Sequence, residues 1–314
     1  MTCHNCRTEC QKHGKDRKGN QRFKCQQCSK TFLAPQRKPL DTMYLPIEKA
    51  DLVLSMLLEG NSVSSVERIT GVHHTTILKL LVLAGEKCER IMADKVRNVQ
   101  VRDVECDELW AFIGKKQKRL CIEDDPNLGD AYTFVAIERH SKLILNFALG
   151  KRDQRTTDSF IEGLREAAAR TPFQITTDGF APYRSAITTT LHDRLIGFAQ
   201  LIKVYKAASE GEGRYSPAEV SSVEVVPIMG QPDPERICTS IIERQNLSVR
   251  MGTRRFTRLT NAFSKKWENH WAAVCVWFTF YNFCRVHKTI RCTPAMEAGI
   301  SDHVWSVREL LETA

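Results

Sequence analysis

Long apolar runs are missing from this chain. The longest, Trp271–Phe283, has 13 residues, too few to cross a bilayer as a helix and well suited to a buried one. No secretory segment precedes the cysteines, which begin at Cys3, so a cytoplasmic protein is expected. Paired cysteines are scarce beyond the start. Of 12 cysteines, five fall in the first 28 residues and the others stand singly among apolar segments. That is metal spacing plus buried thiols in a reducing compartment, not a secreted disulfide framework. Acids are nearly absent from two stretches: residues 1–40 hold 10 Lys/Arg against 2 acids, and residues 244–291 hold 10 against 1. The formal charge of +9 is therefore concentrated, and the rest of the chain is balanced or acidic. Two basic surfaces flanking an acid-bearing middle imply a polyanion partner, most simply nucleic acid. With 314 residues, 42% hydrophobic and 26% charged, the chain has room for two or three ordinary globular domains.

What is present begins with two Cys-x2-Cys pairs, Cys3/Cys6 and Cys25/Cys28. Two close pairs let four thiolates converge tetrahedrally on one zinc, and a segment this small has no other source of stability. Residues 1–33 read as a zinc ribbon, with Cys10 and His13 as poorer substitute ligands. The loop between the pairs carries Lys12, Lys15, Arg17, Lys18, Arg22 and Lys24, which would lie against phosphates. A Pro-bearing linker, 34–46, leads to an all-α domain over 47–97. Its first helix, Glu48–Glu59, has Leu52, Val53, Met56 and Leu57 at helical spacing and ends at Gly60. Ser62 or Ser64 caps the second, with Glu67 in capping-box position to Ser64 and Gly71 as its stop. The third starts near His74, with Ile77, Leu80, Leu81 and Ala84 inward. Two short helices around a Gly-containing turn predict a helix-turn-helix. It would present His74, Thr75, Thr76 and Lys79 to a major groove.

From Val101 the pattern is that of strands. Val101–Lys116, Ala131–Glu138, Lys142–Leu149, Phe173–Thr177 and Ile196–Tyr205 alternate with a helix over Thr156–Arg170, which predicts an α/β domain with a mixed sheet over 98–300. Residues 207–236, rich in Gly, Pro and Glu, read as an exposed inserted loop. Helix resumes near Ser240, a buried helix surrounds Trp277, and 301–314 form a C-terminal helix. In the first strand, Val104 and Cys106 face one way while Asp103, Glu105 and Asp107 face the other. Three acids on one face are costly to bury without a cation. Asp178 ends a strand just before Gly179, where open α/β sheets build their sites. Glu243 lies on a helix with Leu247 and Arg250 on its face. One acid of the strand with Asp178 and Glu243 would hold two magnesium or manganese ions roughly 3.5–4 Å apart.

The segments DELWAFIGKKQKR, ITTDGFAPY, YSPAEV, PDPERICTSIIERQNLSVRM, RRFTRLTNAFSKKWENH and YNFCRVHKTIRCTPAMEAG resemble bacterial insertion-sequence transposases of the DDE class. The likeness is to the group with an N-terminal zinc ribbon and helix-turn-helix. The resemblance implies an RNase H-like catalytic domain and DNA transposition in the cytoplasm, at the nucleoid. It carries the three acids onto Asp107, Asp178 and Glu243, choosing Asp107 over Asp103, Glu105 and Glu108, and makes Arg250 the basic residue of the glutamate helix. A Tyr-Asn-x-x-Arg-x-His run of the family falls on Tyr281, Asn282, Arg285 and His287. It implies DNA partners, the terminal inverted repeats and target DNA, and a multimer on DNA. Arg250, Arg254, Arg255, Arg258, Lys265 and Lys266 would hold the DNA backbone. A DNA-binding regulator with an inactive nuclease-like domain, or a structure-selective nuclease, would share many of these features.

Overall fold

The computed structural model describes residues 1–17, 19–33, 39–205, 220–257 and 260–313. They fall into two compact units, Met1–Tyr44 and Leu45–Ala314. The first unit is a three-stranded antiparallel sheet, β1 (Cys10–Lys15), β2 (Gln21–Cys25) and β3 (Thr31–Leu33). Its interior is Cys3, Cys10 and Cys25, with Cys6, Phe23, Cys28 and Phe32 packed against them. So few apolar groups cannot hold a fold of this size by burial alone.

The second unit opens with α1 (Ile47–Leu58), α2 (Val63–Thr70) and α3 (His74–Lys95). The inward stripe of α1 is Ala50, Val53, Leu54 and Leu58, whereas Leu52, expected inside, is 50% exposed. Ser62 caps α2 by accepting from the Ser65 N–H, and Gly71 closes it with φ 68° in the left-handed region. The expected capping box from Ser64 to Glu67 does not form, because the Glu67 carboxylate accepts the His74 backbone N–H at 2.8 Å. Ile77, Leu80, Leu81 and Ala84 of α3 are buried as expected. Further along, α3 packs on the helix Trp267–Phe283, so closely that a Cβ at Gly85 would lie 2.5 Å from Ala272 Cα. That contact joins residues 47–97, read from sequence as a separate domain, to the sheet in one compact unit.

The sheet consists of β4 (Asp103–Ile113), β5 (Gly129–Glu138), β6 (Ile144–Gly150), β7 (Phe173–Thr177), β8 (Ile196–Tyr205) and β9 (Val220–Met229), in the order β6-β5-β4-β7-β8-β9. The β4–β5, β5–β6 and β8–β9 pairs are antiparallel; β4–β7 and β7–β8 are parallel. This mixed sheet fits an RNase H-like catalytic domain. On one face lie α4 (Gln154–Ala167) and α5 (Ala181–Thr190), packed through Phe134, Phe160 and Tyr183. On the other lie α6 (Ser240–Gly252) and α7 (Trp267–Phe283), the latter through Phe147 and Phe278. Asn282 on α7 fastens the edge strand, bonding both the N–H and the C=O of Ile144 at 2.9 Å. Two short helices, α8 (Pro294–Glu297) and α9 (Val307–Glu312), follow. No helix among the described residues is long and apolar enough to cross a membrane.

The inserted loop expected over 207–236 needs correction. Val220–Met229 is the edge strand β9, and Pro234–Arg236 is a 3-10 turn; residues 207–219 lie outside the described residues. Val223, Val225 and Val226 give the segment strand character. An edge tolerates Pro227, and the ladder slips beside it, with Met229 opposite Phe198 but Pro227 opposite Ala199.

Candidate active site

The site follows from where β7 stops. β7 pairs with β4 only at Asp103–Gln174, Val104–Ile175 and Glu105–Thr176. Beyond Thr177 the chain turns away through Asp178 and Gly179, while β4 runs on without its parallel neighbour. A notch is left beside residues 107–108, at the carboxyl end of β7 where the strand order reverses, which is where open sheets bind ligands.

Into this notch converge Asp107, Glu108 and Asp178, whose carboxylate oxygens lie within 4.8 Å of one another. Asp107 Oδ1 accepts the Glu108 N–H at 2.8 Å, and its Oδ2 accepts from Asn246 Nδ2 at 2.7 Å. Asp178 accepts the Phe180 N–H at 2.9 Å, so it serves the turn and the cleft together. Arg152 spans two of the acids, 3.1 Å from Glu108 Oε2 and 3.6 Å from Asp178 Oδ2. Its guanidinium also lies 4.0 Å from the centre of the Phe180 ring. The surrounding cleft has a volume of about 650 Å³ and is also lined by Lys203, Thr239, Glu243 and Arg250. Burial pushes the Asp107 carboxyl up to about 6, helped by the Asp178 and Glu243 charges. Burial pushes Glu108 up to about 7, again with Asp178 adding to it. Three carboxylates packed this closely outnumber the Arg152 guanidinium that bridges two of them, and oxygen donors with that excess of negative charge suit a hard divalent cation.

Glu243 lines the same cleft but stands outside the tight group. Burial opposes its charge, yet its ion pair with Lys203 and a 2.7 Å bond from the Thr239 hydroxyl outweigh that and hold it below its ordinary value. The structure thus brings Asp107 and Asp178 together and puts Glu243 at the rim. Asp103 and Glu105, on the Asp107 face of β4, are anchors. Asp103 binds His140 and Arg236, each at 2.8 Å, and Glu105 Oε2 accepts the Ile241 and Ile242 N–H groups, each at 2.9 Å, at the start of α6. Sequence reasoning set Glu108 aside in favour of Asp107 and missed Arg152, Lys203 and Asn246 as parts of the site. Strict alternation assigns Glu108 to the face opposite Asp107; only the early end of β7 lets both reach one notch.

Other candidate residues divide. The ligand atoms of Cys3, Cys6, Cys25 and Cys28 lie within 4.8 Å of one another. Cys10 is buried beside them but bonds Thr8 O at 3.6 Å, and His13 is exposed and outside the group. The Thr8 hydroxyl and backbone N–H groups of the knuckle hold the Cys25 thiol down to about 6. His74, Thr75 and Lys79 are exposed and Thr76 is half-buried; His74 Nδ1 is 3.0 Å from Glu67 Oε1. Arg254, Lys265 and Lys266 are exposed. Arg255, expected on DNA, instead turns inward to Ser264 Oγ at 2.9 Å, and burial pushes its guanidinium down to about 10. Arg258 and Lys18 lie outside the described residues.

A mixed sheet with carboxylates converging where its order reverses is an arrangement suited to holding a divalent cation beside a ligand. Residues 129–208, from β5 through β8, match a family model described as a DDE domain, of the IS240 transposase type. This stretch, 80 of the 314 residues, is similar to the DDE domains of insertion-sequence transposases. No curated protein matches the sequence. Among solved structures it is similar to the piggyBac transposase synaptic complex with hairpin DNA (9% identity, 88% of this chain and 73% of that one, TM-score 0.40). It is also similar to the Mos1 strand transfer complex (10% identity, 89% and 77%, TM-score 0.32) and to Aquifex aeolicus Argonaute (10% identity, 47% and 25%, TM-score 0.27). At those TM-scores nothing further rests on these likenesses.

Proposed function

We propose that this chain is a DNA transposase that binds the terminal inverted repeats of its element, nicks the ends, and joins the freed 3′ hydroxyls to target DNA. The observation that carries this reading is the meeting of Asp107 and Asp178, remote in sequence, in a cleft that Glu243 also lines. Asp107, Asp178 and Glu243 would hold two Mg2+ or Mn2+ ions, with Glu108 beside them. Such ions supply activation of water or a 3′ hydroxyl and charge stabilisation at the phosphate. Asn246 fixes the Asp107 carboxylate, while Arg152 and Arg250 line the cleft where a phosphate would enter. Arg254, Lys265 and Lys266 would carry the backbone of the DNA. Cys3, Cys6, Cys25 and Cys28 would hold a structural Zn2+, whose thiolate set they match. The α2–α3 pair would act as the helix-turn-helix, with His74, Thr75, Thr76 and Lys79 toward DNA. Joining two ends calls for a multimer.

The test is incubation of a labelled fragment carrying the element's end with protein and Mg2+ or Mn2+. Nicked and joined products are expected from the wild type and none from Asp107→Asn, Asp178→Asn or Glu243→Gln, with binding retained in all. A wild type that binds ends but leaves them intact in either metal would favour a DNA-binding regulator. Cutting of RNA–DNA hybrids with no joined product would favour a structure-selective nuclease.

A further inference from the structure

The sheet face that carries Glu108 continues beyond the cover of α4 and α5. Side chains two apart on a strand share a face, so Glu108, Trp110 and Phe112 follow one another along β4. The register sets Phe134 opposite Glu108 and Tyr132 opposite Trp110. Phe134 is sealed by Phe160 and Tyr183. Trp110 is not sealed: 42% of it is exposed. Tyr132 is half-buried. Directly opposed Cβ atoms sit about 4.5–5.5 Å apart, so Tyr132 is the cross-strand neighbour of Trp110 on this face. Phe112 extends the row, its ring 6.0 Å from Trp110 and 4.6 Å from Phe263, with Lys116 Nζ 5.8 Å from its centre. Lys118 and Arg119 follow on the surface.

A single exposed apolar residue needs no explanation. A row of aromatic rings that begins beside catalytic carboxylates and ends among lysines does. Flat π faces flanked by cations match a partner that is flat and apolar in one part and anionic in the next, which describes a nucleotide. The distance is suitable as well. Two residues of strand place Trp110 about 7 Å from Glu108, about two base steps of 3.4 Å.

We propose that Trp110, with Tyr132 beside it, is a stacking platform for an unpaired nucleobase of the DNA end, within about two nucleotides of the phosphate at Asp107 and Asp178. The inference rests on the catalytic reading above. Trp110 is a positioning residue in it: the stacked base holds its strand so that the phosphate stays in the cleft.

Two measurements test it. In the first, end fragments are nicked in Mn2+ by wild type, Trp110→Ala and Trp110→Phe, using normal DNA or DNA abasic at one position flanking the nick. Stacking is worth about 1–3 kcal/mol per base, so Trp110→Ala should slow nicking at limiting DNA by about 5- to 150-fold, with Trp110→Phe largely restoring it. At the stacked position, the abasic substrate should slow the wild type to the level of Trp110→Ala and slow that variant no further. Equal rates for wild type and Trp110→Ala, or independent losses from protein and DNA changes, overturn the platform. The second measurement needs no catalysis. In the Asp107→Asn background, 2-aminopurine in a short single-stranded overhang should be quenched on binding, and the added Trp110→Ala should abolish the quenching while the duplex still binds. Quenching that survives Trp110→Ala overturns the proposal even if the enzyme nicks DNA. Quenching that depends on Trp110 sustains it even if the catalytic reading fails.

Discussion

On the proposed reading, Lys203 and a metal ion would compete for the Glu243 carboxylate. Glu243 reaches into the cleft from the first turn of α6, but its charge is satisfied by Lys203 on β8. Glu243 is 46% exposed and Lys203 28%, so solvent screens the pair and its worth is modest, about 0.2–1 kcal/mol. That is small against what a divalent cation gains from a third carboxylate. Lys203→Met should therefore tighten Mn2+ binding by up to about 5-fold in a calorimetric titration. Unchanged or weaker binding would mean that Lys203 does not hold Glu243 away from the ion. At this scale the sequence was readable where chemistry and position coincide. The acids of the notch stand out in a strand and at a strand end. Lys203 carries no such mark, because a lysine in a strand is ordinary until its partner across the cleft is known.

At the scale of elements, the contact between α3 and α7 decides whether the N-terminal helices belong to the catalytic unit. Helix propensity alone favours alanine over glycine at position 85 by about 1 kcal/mol. The Ala272 backbone leaves no room for a Cβ there, and overpacking costs about 1–3 kcal/mol. The packing term wins, so Gly85→Ala should lower the midpoint of thermal unfolding; a rise would show that the helices can part. The partner helix α7 holds a pH-dependent group. His270, fully buried and 2.9 Å from Ser264 Oγ, is pushed down to about 3 by burial and, secondarily, by the Arg255 charge. The native imidazole stays neutral while the unfolded one takes a proton below about 6.5. Its stability contribution is thus intact above that pH and falls as pH drops, by about 2 kcal/mol at pH 5. Denaturant unfolding should give wild type a loss from about pH 7.5 to 5 that exceeds the loss in His270→Gln by that amount; equal losses would show that His270 protonates in the folded chain. Periodicity was enough to find α3, α7 and strands β4 to β8, because each buries one regular stripe or is apolar throughout. It failed at β9, where an edge strand has only one neighbour and can carry Pro227, Glu224 and exposed valines that read as loop. It failed for the capping box too, since Glu67 had a better partner in His74, brought near by the turn at Gly71.

For the whole molecule, the question is what holds each compact unit together. Leu45–Ala314 has a six-stranded sheet covered by helices on both faces, and its core needs nothing added. Met1–Tyr44 has three short strands around cysteines and two phenylalanines, and loop ordering of that extent costs more than so little burial returns. A metal on the four thiolates would supply the difference, since binding free energy becomes folding free energy where no site exists in the unfolded chain. A strong zinc chelator should therefore expose Met1–Tyr44 to proteolysis while Leu45–Ala314 stays resistant and keeps its helical circular dichroism. The chelated protein should also bind DNA with a shallower dependence on salt. Residues 1–40 carry 10 Lys/Arg against 2 acids, and each phosphate the protein no longer neutralises lowers the slope of log affinity against log salt by about 0.9. Resistance to proteolysis throughout, with the slope unchanged, would mean that the cysteines hold no structural ion and that DNA is gripped by the second unit alone. Loss of the helical signal as well would mean that the sheet unit depends on the N-terminal unit, which its own core gives no reason to expect.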